Sequence, residues 1–130
     1  MIVGIGVDMA LVRRLERWRS VPGLLERYFH PQELAVSLSR GKAAALSLAA
    51  RFAAKEALGK ALGTGLSGIA LRDILVANRQ NGKPEIEVFG TASAALERSG
   101  ANRIHVSLSH EREHAIAMVV LEREQDGKTP

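Results

Sequence analysis

Cysteine is absent from this chain. That excludes a disulfide scaffold, a thiolate zinc site and a cysteine nucleophile. Aromatic residues are scarce, at 4%. This weighs against single-stranded nucleic acid as a partner, which needs exposed stacking platforms. No apolar run reaches the ~20 residues of a membrane span. The opening MIVGIGVD has no basic stretch and turns acidic at Asp8, so it does not read as a signal peptide. The expected compartment is the cytoplasm. Internal repeats, low-complexity blocks and linkers are missing as well.

What is present suits one globular domain over residues 1–130, with a tail expected to fray from about Gln125. Hydrophobic residues are 46% and charged residues 25%, the balance of a packed chain. Net charge is +4 and unevenly placed. Residues 1–60 hold 10 Lys and Arg against 5 Asp and Glu, whereas residues 61–130 hold 8 against 9. Of the 18 cations 13 are Arg, the side chain suited to carboxylates and phosphates. An anionic partner is expected.

Residues 2–8 predict a strand with Val3, Ile5 and Val7 on one face and Gly4, Gly6 and Asp8 on the other. Two glycines before a carboxylate leave room for a close approach, either by a ligand or by another packed element. Residues 9–20 predict a helix with Leu11, Leu15 and Trp18 inward and Arg13, Arg14, Arg17 and Arg19 outward. Short helices are expected at 24–29 and 32–39. The long helix 42–62 is the clearest element: nine of its 21 residues are Ala, and Gly63 suits its C-terminal cap. A hairpin over 72–79 and 84–90 turns at Asn81-Gly82. A helix at 91–99 and strands at 103–109 and 114–122 follow, joined by a tight turn at 110–113. The fold class is α+β, a small, mainly antiparallel sheet packed with one long and several short helices.

On the long helix, Arg51 and Lys55 share one stripe, and Phe52, Glu56 and Lys60 the next. These charges are expected to converge on one side of an otherwise apolar helix, either as a solvated face or as a ligand site. Asp8 and Glu56 are the minimal carboxylate pair for a hard cation held against phosphates. GTGLSG at 63–68 follows a helix, so it is no standard P-loop. Ser107, Ser109 and His110 lack the setting of a hydrolase triad.

Taken together, IVGIGVD, RFAAKEALGKALGTG (51–65), NGKP (81–84) and HVSLSH (105–110) resemble holo-(acyl-carrier-protein) synthase. This is the small bacterial 4′-phosphopantetheinyl transferase family of fatty-acid biosynthesis. The likeness runs from residue 2 to about 122. It implies transfer of the 4′-phosphopantetheine arm of coenzyme A to a serine of apo acyl carrier protein, with release of adenosine 3′,5′-bisphosphate. It also implies Mg²⁺ and a homotrimer with sites shared between subunits. Carried over by position, Asp8 and Glu56 hold the metal, and Lys60 holds a phosphate. The glycine face before Asp8 then makes room for the pyrophosphate. Arg51, Phe52, Gly63, Thr64 and Gly65 line the coenzyme A site. Asn81, Gly82, Lys83, Pro84, Ser109 and His110 complete it from an adjacent subunit. The resemblance leaves the base for the carrier serine open; Glu56 acting through a water is the expectation preferred here. Some relatives carry an acid where this chain has Ala35, so a mechanism needing one there does not fit.

Arg13, Arg14 and Arg17 are the expected docking face for the acidic carrier protein. Val106, Leu108, Ile116, Met118 and Val120 put more apolar surface on the last hairpin than one helical layer covers, a motive for oligomerisation. Two other readings are a basic nucleic-acid module and an idle carrier-binding relative. The first needs a recognition motif that the chain lacks, and the second should have lost Asp8, Glu56 or Lys60. Carrier choice, Mg²⁺ against Mn²⁺ and tolerance of acyl-coenzyme A are not encoded legibly.

Overall fold

The computed structural model describes residues 1–125. The expected fraying beyond that point lies outside the described residues. Strand β1 (Ile2–Leu11) leads into α1 (Val12–Arg19), α2 (Leu24–Tyr28) and α3 (Pro31–Leu38). A 3₁₀ turn at Gly41–Ala43 opens the long helix α4 (Ala44–Leu62). A second turn at Leu71–Asp73 leads to β2 (Ile74–Asn78) and β3 (Pro84–Val88). Helix α5 (Gly90–Ser99) and strands β4 (Arg103–His110) and β5 (His114–Glu122) finish the described chain.

The strands form a three-stranded antiparallel sheet in the order β1-β5-β4 and a separate β2-β3 hairpin. The α+β expectation holds. Helix α4 is buried along nearly its whole length, with Leu48, Ala53, Ala57 and Leu58 in the core. It ends at Gly63, whose φ of 80° is the left-handed cap that glycine adopts without strain. Only small residues let a sheet and other helices close on such a rod from several sides, which explains the alanines.

Several boundaries differ from expectation: the strand expected from residue 72 begins at Ile74, after the Leu71–Asp73 turn, and the long helix expected from 42 begins at Ala44, after the Gly41–Ala43 turn. Residues 9–11 were expected to begin a helix, but Met9, Ala10 and Leu11 pair with Ile116, Ala115 and His114. Pairing with β5 overrides a locally helical sequence. Leu11 is therefore exposed on the strand, and Val12 takes its inward place beside Leu15. Helix α5 takes Gly90 because Phe89 leaves the hairpin as its N-cap, held by donation from its backbone N–H to Asp73 O. His110 belongs to β4, which shortens the turn to 111–113.

The sheet covers α4 with one face only. On the other face Ile5, Val7, Met9, Ile116 and Met118 are all exposed. Val106 and Leu108 do not join them: they pack toward the core. The register explains this, since Val106 and Leu108 stand opposite buried Val119 and Ala117, whereas Ile116 and Met118 alternate to the outside.

Candidate active site

The glycines of β1 fix where the site forms. A Cβ at Gly4 would overlap the carbonyl oxygen of Ala61, and one at Gly6 that of Ala57. The space beside this strand face is thus filled by α4, not kept for a pyrophosphate. Of the two ways of using that room, helix packing is the one found. The same close approach carries Asp8, next on that face, to the open edge of α4. There Lys60 Nζ donates to Asp8 Oδ1 at 2.9 Å.

Glu56 lies one turn before Lys60 and is half-buried. Burial raises its carboxyl above the ordinary range, and the charge of Asp8 adds to this. Lys60 and Arg14 pull the other way. Asp8, Glu56 and Lys60 therefore stand together at this edge of α4. Arg14, expected as a docking residue, also stands within electrostatic reach of Glu56. Among the described residues no three acidic or histidine side chains gather into a metal cluster. The chain supplies two carboxylates. That hard-oxygen set fits a cation such as Mg²⁺, which draws its other ligands from phosphate and water.

A second centre lies on a different side of α4. A cleft of about 460 Å³ is lined by Arg40, Arg51, Asn78, Gly82, Pro84 and His110, among others. Arg51 is only 4% exposed. Its Nη1 donates to Ser47 Oγ at 2.6 Å and its Nη2 to Asn78 Oδ1 at 3.1 Å. Its Nε is buried with no partner. Burial lowers the Arg51 pKa, and the charge of Arg40 lowers it further. Two guanidinium groups and a spare buried donor suit an anion. Ser47 was findable in the sequence, four residues before Arg51; Arg40 and Asn78 arrive by tertiary folding and gave no signal.

Several expected site residues fall elsewhere. Phe52 is core: its ring packs edge-on against Trp18 at 5.0 Å and approaches Tyr28 at 6.5 Å. Lys55 is also core, so the charges of α4 do not converge on one side. Asn81 is used by its own turn, where its Oδ1 accepts from Lys83 N at 3.0 Å, and Lys83 is exposed. Ser109 stands opposite exposed Ile116, on the face of β4 away from Leu108 and His110. Gly63, Thr64 and Gly65 follow Lys60 at the C-terminal end of α4, where Gly65 N donates back to Gly59 O at 3.0 Å, more than two helical turns beyond Arg51. Arg13, Arg14 and Arg17 are exposed on α1, as a docking face requires.

Residues 4–119 match the 4′-phosphopantetheinyl transferase superfamily. The chain is 55% identical to the holo-[acyl-carrier-protein] synthase of Treponema denticola, over 94% of this chain and 99% of the relative. The crystal structure of holo-[acyl-carrier-protein] synthase from Neisseria meningitidis superposes with a TM-score of 0.84 at 36% identity, covering 95% of this chain and 100% of that one. The synthase of Bacillus anthracis, solved in complex with coenzyme A (3′,5′-ADP), superposes with a TM-score of 0.79 at 36% identity, covering 95% and 99%. With a carboxylate pair and lysine at one edge of α4 and an arginine cleft on another side, this chain belongs to the 4′-phosphopantetheinyl transferase superfamily, in its holo-(acyl-carrier-protein) synthase family.

Proposed function

We propose that this protein transfers 4′-phosphopantetheine from coenzyme A to a serine hydroxyl of apo acyl carrier protein and releases adenosine 3′,5′-bisphosphate. The observation that carries the reading is the convergence of Asp8, Glu56 and Lys60 at one half-open edge of α4, in a chain 55% identical to a holo-[acyl-carrier-protein] synthase. Asp8 and Glu56 would hold Mg²⁺, which when bound would supply charge neutralisation for the departing phosphate. Lys60 moves from Asp8 to a phosphate oxygen. Glu56 is placed to take the serine proton through a water. Arg51 and Arg40 receive a phosphate of coenzyme A in the cleft.

The two centres lie on different sides of α4, since five residues separate Arg51 and Glu56 by roughly 140° round the helix. One coenzyme A reaches both most simply when each comes from a different copy. The uncovered face of Ile5, Val7, Met9, Ile116 and Met118 supports such an assembly, for which we propose the homotrimer. Burial of Ser109 in that contact accounts for its place on the outer face. No helix among the described residues is long and apolar enough to cross a membrane; we place the enzyme in the cytoplasm.

The test is the intact mass of apo acyl carrier protein after incubation with this protein, coenzyme A and Mg²⁺. A gain of about 340 Da, abolished by EDTA, is expected for one metal-assisted transfer. No gain in the presence of bound coenzyme A supports the idle binder, and no gain without coenzyme A binding overturns the site assignment.

A further inference from the structure

One helical turn beyond Arg51 on α4 lies an ion pair that the transfer reaction does not use. Glu33 and Lys55 meet at 2.6 Å, and neither side chain is exposed. All three Lys55 protons are taken, by Glu33 Oε1, by Leu71 O at 2.8 Å and by Ile74 O at 2.5 Å. Glu33 Oε1 also accepts from His30 N, and Oε2 accepts from Val76 N, each at 2.9 Å. The pair thus joins the start of α3, the middle of α4 and the first half of β2.

Its place bears on what it does. Among the described residues, the β2-β3 hairpin shares no strand pairing with the three-stranded sheet. Its apolar packing through Ile74, Val76 and Ile86 is non-directional and tolerates sliding. Directional links to the hairpin come from α4, where Lys55 donates to Ile74 O and, one helical turn earlier, Arg51 donates to Asn78 Oδ1, and from α3, where Glu33 Oε2 accepts from Val76 N. That hairpin carries Gly82 and Pro84, which form a wall of the cleft facing Arg51. A buried ion pair adds little net stability over an apolar pair of the same volume, and its best-attested use is to fix register.

We propose that Glu33 is a positioning residue for coenzyme A: clamped to Lys55, it fixes the β2-β3 hairpin against α4 and so sets the width of the cleft between Pro84 and Arg51. The proposal rests on the reading of that cleft as the coenzyme A site. Gln cannot replace Glu33, because its single oxygen cannot accept from N–H groups that approach both carboxylate oxygens.

The test compares Glu33→Gln, Glu33→Gln/Lys55→Met and Arg51→Met in steady-state transfer, varying coenzyme A and carrier protein separately. The double variant leaves no unpaired buried charge and keeps the test open if Glu33→Gln alone does not fold. The expected result for the double variant is a rise of roughly tenfold in KM for coenzyme A, with kcat and the KM for carrier protein within about twofold. Arg51→Met should raise the same KM. An unchanged coenzyme A KM in the double variant, where Arg51→Met raises it, overturns the clamp and leaves the cleft. An unchanged KM in both overturns the cleft reading and the proposal with it. A loss confined to thermal stability, or failure of both Glu33 variants to fold, assigns the pair to stability and also overturns the proposal.

Discussion

Helix α4 carries two lysine–carboxylate pairs five residues apart, and they behave as opposites. Lys55 and Glu33 have side chains 0% exposed, with every proton of Lys55 and both oxygens of Glu33 engaged. Lys60 and Asp8 have side chains 55% and 22% exposed, joined by one hydrogen bond. The chemistry is the same and the setting differs. A closed pair has nothing left to offer a substrate and is hard to break, because a lone buried charge has no water to fall back on. An open pair contributes little to the fold but keeps lone pairs and protons free for phosphate and metal. The difference separates scaffold from chemistry along a single helix.

The sharpest way to break this comparison is one substitution made on both faces. Lys55→Met strands the Glu33 carboxylate in the core and should cost about 3–5 kcal/mol of stability, read from urea denaturation midpoints. Lys60→Met should change stability by less than about 1 kcal/mol while transfer falls steeply. Equal losses of stability at the two positions would erase the distinction between closed and open pairs.

Glu56→Gln probes the open face alone. Turnover at saturating Mg²⁺ should fall by about 10²-fold or more, the scale of a lost general base. Thermal stability should rise. Burial and the charge of Asp8 hold the Glu56 carboxyl above its ordinary range, so its ionised form at neutral pH weighs against the fold. Gln removes that charge. The gain should shrink as pH falls through the carboxylate range, where wild-type Glu56 becomes neutral, and it is best measured in EDTA. Near-normal turnover would remove Glu56 from the reaction.

The sequence shows the open face far better than the closed one. Glu56 and Lys60 share a helix stripe that their spacing shows, whereas Asp8 joins them from β1, a meeting that only the family resemblance implied. Gly63 and Asn81-Gly82 end a helix and turn a hairpin by local chemistry, and they do so here. Glu33 lies 22 residues before Lys55, on another helix, and no periodicity links them. The glycines of β1 announce a close approach without naming what approaches; the carbonyls of Ala57 and Ala61 settle that. Met9 to Leu11 read as helix because their partners, Ile116 to His114, are over a hundred residues away. Phe52 sits in a motif that marks the site, yet its ring belongs to the aromatic core with Trp18 and Tyr28. Motif membership locates a segment, and the helical angle decides which of its side chains reach the ligand.

The smallest expected effect separates docking from catalysis on α1. Arg14 and Arg17 are both exposed on this helix, and both suit an acidic carrier surface. Only Arg14 acts on Glu56, where its charge opposes the upward shift. Charge reversal at Arg17 should therefore raise the KM for carrier protein several-fold at low salt, with the effect fading as salt screens the contact. The same reversal at Arg14 should raise that KM comparably and also change kcat, since a carboxylate there alters the charge set around Glu56. The kcat difference should persist at salt concentrations that level the KM values, because the interaction with half-buried Glu56 is screened less than an exposed one. Identical responses at the two positions would confine Arg14 to docking and leave Glu56 tuned by burial, Asp8 and Lys60.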